Sequence, residues 1–371
     1  LFTELELLSD SANNELKRFI LFITSAAMKK IITVICDWLI CHLLKRNRAA
    51  LPPHPEKIAV ILCHWLGDTF WGMQVLPALR RKYPDADFHI FLRRNFSDLF
   101  YGQINPDCIH IAPAVVSDRK REKFSIAALL STAGKYRHIN FDIALDLTGN
   151  RYSALFASRL KAKCTIGFEG DELGMLYDIR ANPEIYLGKP LRLRPLLVCS
   201  FLFPEIKFDC LMSPPVLKYR FQDVLDTAGL KQGLKLAIIA PCAGWAEKEW
   251  GDDHFAELAK KLIQREMQVI ISGNGTEIVR CRNIAKKSGS IAWSGDLGGL
   301  ITLFSGADIF VGNDSGTGHI AATFPNCHVF TIFTGATAPE LLAPVGKNVT
   351  IIESAKLNQE RVTALIAGVQ D

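Results

Sequence analysis

From residue 57 onward, short apolar runs alternate with amphipathic stretches. After the breaker "LPPHP" at 51–55, "KIAVILC" at 57–63 is apolar without interruption, as expected of a strand buried on both faces. "GMQVLPALRRKYP" then takes helical spacing and stops at Pro84, followed by a strand "DFHIFL" at 87–92. Short strand material in "CIHIA" at 108–112, a helix near 124–134 and a strand "FDIALDL" at 141–147 complete the first series. Past "MSPPV" at 212–216 the alternation restarts. There "KLAIIAP" reads as strand, "DDHFAELAKKLIQRE" as helix and "MQVIISG" as strand, then come a helix through Lys286, "DIFVG", a helix 319–324 over "HIAATF", and "HVFTIF". Strand–helix alternation in two series predicts an α/β protein with two Rossmann-like domains facing each other across a cleft.

The 371-residue length suits two domains rather than one. The pattern divides it into an N-terminal extension at 1–50 and domains at 51–215 and 216–371, with the change-over between roughly 195 and 235. Hydrophobic residues form 49% of the chain and charged ones 22%, a globular composition that argues against disorder. The formal charge of +5 is a mild excess: it favours anionic ligands without marking a nucleic-acid binder. The densest basic block, "SDRKREK" at 117–123, reads as a solvated loop or helix start. Ten cysteines are scattered with no CxxC and no Cys/His cluster at metal spacing, so they read as buried thiols of a reducing cytoplasm.

The segment at the amino end is unusual. Met28 is the first methionine, and the apolar run 31–44 is 14 residues long and carries Asp37 and His42. That is short of the ~20 residues a bilayer span needs, and a signal peptide fits poorly because basic residues follow the run and no small-residue cleavage site appears. Two readings remain: an interfacial helix within 29–48, flanked by Lys29, Lys30, Lys45, Arg46 and Arg48 and lying on anionic lipid, or a helix packed on the protein itself.

Ligands of open α/β sheets bind beyond the carboxyl ends of the strands. Four loops at such ends have unusual content. In "HWLGDTFWG" Asp68 stands at a helix entry, as an N-cap or as a carboxylate overlooking the cleft. In "APCAGWAEKEW" small residues let the backbone approach a ligand and Lys248 offers a phosphate a point charge, unless Glu247 and Glu249 neutralise it. In "SGNGTE" Glu277 suits a ribose diol or the helix dipole. The fourth, "VGNDSGTGHIAATF" at 311–324, places the backbone N–H groups of Ser315, Gly316, Thr317 and Gly318 at a helix start, an anion site for a diphosphate. Asp314 would repel that phosphate, so it reads as a partner for sugar hydroxyls or as a cap, and His319 as a packed helix residue. The first loop has no GxGxxG and the chain no GxxxxGK[ST], which disfavours dinucleotide and P-loop sites.

Four blocks, "KIAVILCHWLGDTFWGMQVLPALRRKYPDADFHI", "FDIALDLTGNRYSALFASRLKAKCTIGF", "APCAGWAEKEWGDDHFAELAKKL" and "GADIFVGNDSGTGHIAATF", resemble in order and spacing the ADP-heptose:lipopolysaccharide heptosyltransferases of glycosyltransferase family 9. The resemblance runs from about Lys57 to Pro344. It implies a GT-B fold, the acceptor on the amino-terminal domain, the nucleotide sugar on the carboxy-terminal one, and an inverting single displacement. By the same resemblance Asp68 is the general base, Lys248 binds the diphosphate, Glu277 the ribose, and Asp314 with Ser315, Gly316 and Thr317 forms the nucleotide-sugar loop. Arg93, Arg94, Arg119 and Arg151 read either as solvated side chains or as candidates for holding an anionic glycan or glycolipid acceptor. No cofactor and no metal are expected, since no DxD-like site is present and Lys248 with the loop amides can take the leaving-group charge. The chain departs from the family pattern at Cys63, His64 and Trp65, where small residues are usual, and at Thr148-Gly149, where Gln-Gly is common. A non-catalytic relative and a GT-B-like nucleotide-sugar epimerase are the rival readings.

Overall fold

The computed structural model describes residues 49–113, 125–169, 173–185, 187–204, 212–356 and Ile366. The proposed interfacial helix at 29–48, the basic block at 117–123 and Arg119 lie outside them. No helix among the described residues is long and apolar enough to cross a membrane.

The first lobe is a parallel sheet of β1 (Lys57–Leu62), β2 (Asp87–Leu92), β3 (Ile109–Ile111), β4 (Ile143–Asp146), β5 (Cys164–Phe168) and β6 (Ile179–Ala181), in the order β3-β2-β1-β4-β5-β6. The second is built from β7 (Leu236–Ala240), β8 (Gln268–Ser272), β9 (Ile291–Trp293), β10 (Ile309–Asn313), β11 (His328–Phe333) and β12 (Val349–Glu353), in the order β12-β11-β10-β7-β8-β9. Read from the other edge, the second order repeats the first. The strand order of each parallel sheet therefore reverses once, between β1 and β4 and between β7 and β10. Those are the points where a doubly wound sheet opens a crevice beyond its strand ends.

The central strands are apolar along their length because both faces are covered: Ile58 to Leu62 are buried, as are all five residues of β7 and of β10. The first crossover is two helices rather than one. Helix α1 (Leu66–Met73) ends before α2 (Leu76–Lys82), which has Pro77 in its first turn, where the missing N–H costs nothing. Helix α1 starts earlier than the periodicity indicates, and it packs tightly on β1: a Cβ on Gly72 would meet Leu62 Cδ2 at 2.2 Å. Helices α3 (Ile126–Lys135), α4 (Arg151–Leu160) and α5 (Arg194–Leu202) complete the first lobe. In the second lie α6 (Phe221–Ala228), α7 (Asp252–Gln264), α8 (Ile278–Ser288), α9 (Leu297–Phe304), α10 (Gly316–Ala321) and α11 (Pro339–Leu342). Helix α10 runs from 316 to 321, not from 319 to 324.

One hydrophobic cluster runs through both lobes, from Leu62 and Phe70 to Leu300, Phe304 and Phe310. Among the described residues Cys63, Cys164, Cys199, Cys281 and Cys327 are buried free thiols, while Cys108 and Cys242 are half-buried.

Candidate active site

At the switch point of the second lobe the β10 end is tied to the β7 loop. Asn313, fully buried, accepts from Trp250 N at 3.0 Å and donates to Pro241 O at 2.7 Å. This fixes the next residue, Asp314, whose Oδ2 takes the Lys248 ammonium at 2.6 Å and the Thr337 hydroxyl at 2.7 Å. Both members of the ion pair are almost fully buried, and Lys248 also lies 4.3 Å from the centroid of the Trp245 ring. Glu249 does not neutralise Lys248: it pairs with Arg280 at 2.6 Å and accepts from Ala243 N. Asp314 thus serves as the counter-ion of Lys248. An ammonium has three donors and Asp314 occupies one.

After Asp314 the chain enters α10 with Ser315 at the N-cap. The N–H groups of Gly316 and Thr317 belong to the first turn, which has no intrahelical acceptor for them. Gly318 differs from expectation, since its N–H already donates to Ser315 O at 3.2 Å. His319 is buried on this helix, and burial lowers its pKa to about 4 although Asp314 and Asp68 act in the opposite direction. Its ring meets the Trp71 ring edge-on at 4.8 Å, and neither His319 Nδ1 nor Trp71 Nε1 has a hydrogen-bond partner among the described residues.

Trp71 belongs to α1, so this contact joins the two lobes. The helix starts meet backbone to backbone: a Cβ on Gly316 would lie 2.5 Å from Gly67 N. Gly316 is required for that approach, which brings Asp68, the neighbour of Gly67, to the 314–317 loop. Asp68 sits in the first turn of α1 and not at its N-cap, which is Trp65. Its side chain is 35% exposed and contacts His64 Nδ1 at 2.7 Å.

A cavity of about 440 Å³ opens between the lobes at this point, of the size that holds a small-molecule ligand. Asp68, Lys248, Glu277 and Asp314 all line it, as do Ser315, Gly316 and Thr317. Gly318 is buried behind the lining. Of the arginines, Arg93 lines the cavity and is buried, its guanidinium 5.4 Å from the Trp65 ring centroid. Arg94 is exposed at the start of a 3-10 helix and Arg151 opens α4 over the Tyr152 ring; neither lines the cavity. Periodicity could not reveal the apolar end formed by Trp293, Leu297 and Leu300, because those side chains converge only through the fold. Thr337, 23 residues beyond Asp314, left no sequence signal either.

The family model for glycosyltransferase family 9 (heptosyltransferase) matches residues 130–365. The chain belongs to glycosyltransferase family 9. Lipopolysaccharide heptosyltransferase 2 of Salmonella typhimurium is 30% identical over 323 residues, covering 80% of this chain and 87% of that relative. The E. coli ADP-heptose lps heptosyltransferase II structure has a TM-score of 0.65 at 18% identity, covering 83% of this chain and 96% of that one. E. coli heptosyltransferase WaaC, solved with ADP, has a TM-score of 0.64 at 18% identity and covers 84% and 99%. The two six-stranded parallel sheets are the GT-B arrangement of those structures, and the protein is a glycosyltransferase.

Proposed function

We propose that this glycosyltransferase moves a heptose from ADP-heptose to a lipopolysaccharide-core glycan, with inversion, Asp68 acting as general base. The observation that carries the reading is the shared cavity, in which Asp68 from one lobe faces the Lys248–Asp314 pair and the 315–317 loop of the other. Donor and acceptor identities follow from the names of the relatives, heptosyltransferases of lipopolysaccharide and lipooligosaccharide.

In this account the diphosphate lies against the Lys248 ammonium and the first-turn amides of α10, with the ribose at Glu277 and the adenine toward Trp293, Leu297 and Leu300. The acceptor enters from the α1 side. As its hydroxyl oxygen attacks the anomeric carbon, Asp68 takes the proton, contributing about 10²- to 10⁴-fold. The bond to the diphosphate breaks on the opposite face of the sugar, so configuration inverts. Charge grows on the leaving phosphate, and a prearranged donor there is worth ~3 kcal/mol. The buried Arg93 offers the acceptor a positive charge at the cavity wall. Work on the cytoplasmic face of a membrane suits a lipid-linked acceptor.

The test is product analysis with radiolabelled ADP-heptose and a core-oligosaccharide acceptor. Label in the acceptor with inverted anomeric configuration is the expected result. Unchanged donor, or an altered free nucleotide sugar, would contradict the proposal.

A further inference from the structure

The geometry points to His64 as the positioning residue of the proton-accepting carboxylate, an inference that rests on the reading of Asp68 as base. A base in this reaction must hold one carboxylate oxygen toward the acceptor hydroxyl while the other is anchored. Misplacement by an ångström costs on the order of 10²-fold. Among the described residues the Asp68 side chain has one ion-pair or hydrogen-bonding partner, His64 Nδ1, at 2.7 Å from Oδ2. Oδ1 is left for the substrate.

The sequence places the pair for this purpose. His64 precedes the Trp65 N-cap of α1 and Asp68 lies in the first turn, so the two side chains meet over the helix start, and both line the cavity. A surface i,i+4 pair with no further role would be expected to face solvent. His64 has only 24% of its side chain exposed, and its Nδ1 is buried. Helix α1 is in turn held firmly: Thr69 Oγ1 donates within reach of Leu62 O at 3.1 Å and Trp65 O at 3.0 Å, so the backbone under the pair is fixed and the remaining freedom is in the Asp68 side chain itself. His64 removes that freedom.

The contact is close but too poorly aligned to count as a hydrogen bond, since Nδ1 has none among the described residues. Catalytic hydrogen bonds are often misaligned without substrate and tighten in the Michaelis complex. In the aligned state the ring donates Nδ1–H to Oδ2, and Asp68 remains the group that receives the acceptor proton. His64 exchanges no proton with substrate.

Steady-state kinetics on His64→Ala, His64→Asn and Asp68→Ala test this, with donor and acceptor each varied and folding checked by thermal melts. The amide nitrogen of Asn reproduces the place of Nδ1 and can donate to Oδ2. His64→Ala is expected to lower kcat by about 10- to 100-fold with both KM values within about threefold. His64→Asn is expected to recover kcat to within about fivefold of the natural enzyme. The inference is overturned if His64→Ala leaves kcat within twofold, if its effect falls on KM alone, or if His64→Asn is as slow as His64→Ala. Inactive Asp68→Ala beside normal His64→Ala defeats the positioning role only; an active Asp68→Ala defeats the base itself.

Discussion

Lys248 and Asp314 set the terms at the scale of single residues. A buried ion pair contributes little net stability, but removing one partner leaves a buried charge and costs ~3 kcal/mol or more. Lys248→Met is therefore expected to destabilise the fold in urea and to abolish ADP binding by calorimetry. The double variant Lys248→Met/Asp314→Asn should recover most of the stability while ADP binding stays lost. Recovery of binding together with stability would show that the Lys248 charge does not hold the nucleotide. Sequence reading found both residues, since each stands in the loop after an apolar strand, yet it gave them separate tasks. Their contact spans 66 positions and depends on β7 and β10 lying side by side, which no local pattern encodes. His64 was visible only as a departure from the family pattern, because its partner became evident once α1 was seen to begin at Leu66.

Among elements, the long strands were legible for a physical reason: burial on both faces forces unbroken apolar runs such as those of β1, β7 and β10. Three-residue strands such as β6 and β9 are too short to show any period, and the division between α1 and α2 was hidden because Pro77 sits where a helix tolerates it. The β2–β3 edge carries a feature with a measurable consequence. His89 Nδ1 and His110 Nε2 lie 2.8 Å apart across these strands, a neutral donor–acceptor pair. Burial, reinforced by His89 and His138, lowers the His110 pKa to about 4. A folded pKa below the unfolded value of ~6.5 means that the unfolded chain binds the extra proton first, so stability is full above about 6.5 and falls toward pH 4. His110 should account for up to about 2 kcal/mol of the stability lost in urea unfolding between pH 7 and pH 5, a loss that is smaller in His110→Phe. An equal loss in that variant would assign the pH dependence to other groups.

For the whole molecule, the two lobes are joined at a second place besides the glycine contact. Lys218, in the connection ahead of α6, reaches Asp98 of the first lobe and Asp296 of the second at 2.9 Å each. Asp98 accepts the Gly298 N–H of α9 at 2.9 Å, and Tyr219 donates to Asp296 at 2.5 Å. This latch holds the cleft in its present closure, and Asp296 lines the cavity. Lys218→Met should increase the radius of gyration in solution scattering and raise both KM values roughly tenfold, a cost of ~1.4 kcal/mol, with kcat less affected because no reacting group is touched. Unchanged scattering with unchanged KM would remove the latch from the account.

All of this depends on a carboxylate of one lobe working opposite a nucleotide held by the other. Paired measurements on Asp68→Ala examine that dependence: heptosyl transfer from ADP-heptose, and ADP affinity by calorimetry. The account requires transfer to fall by 10² or more while ADP affinity stays within about twofold of the natural enzyme. Turnover near the natural rate, or loss of ADP binding together with activity, would contradict it.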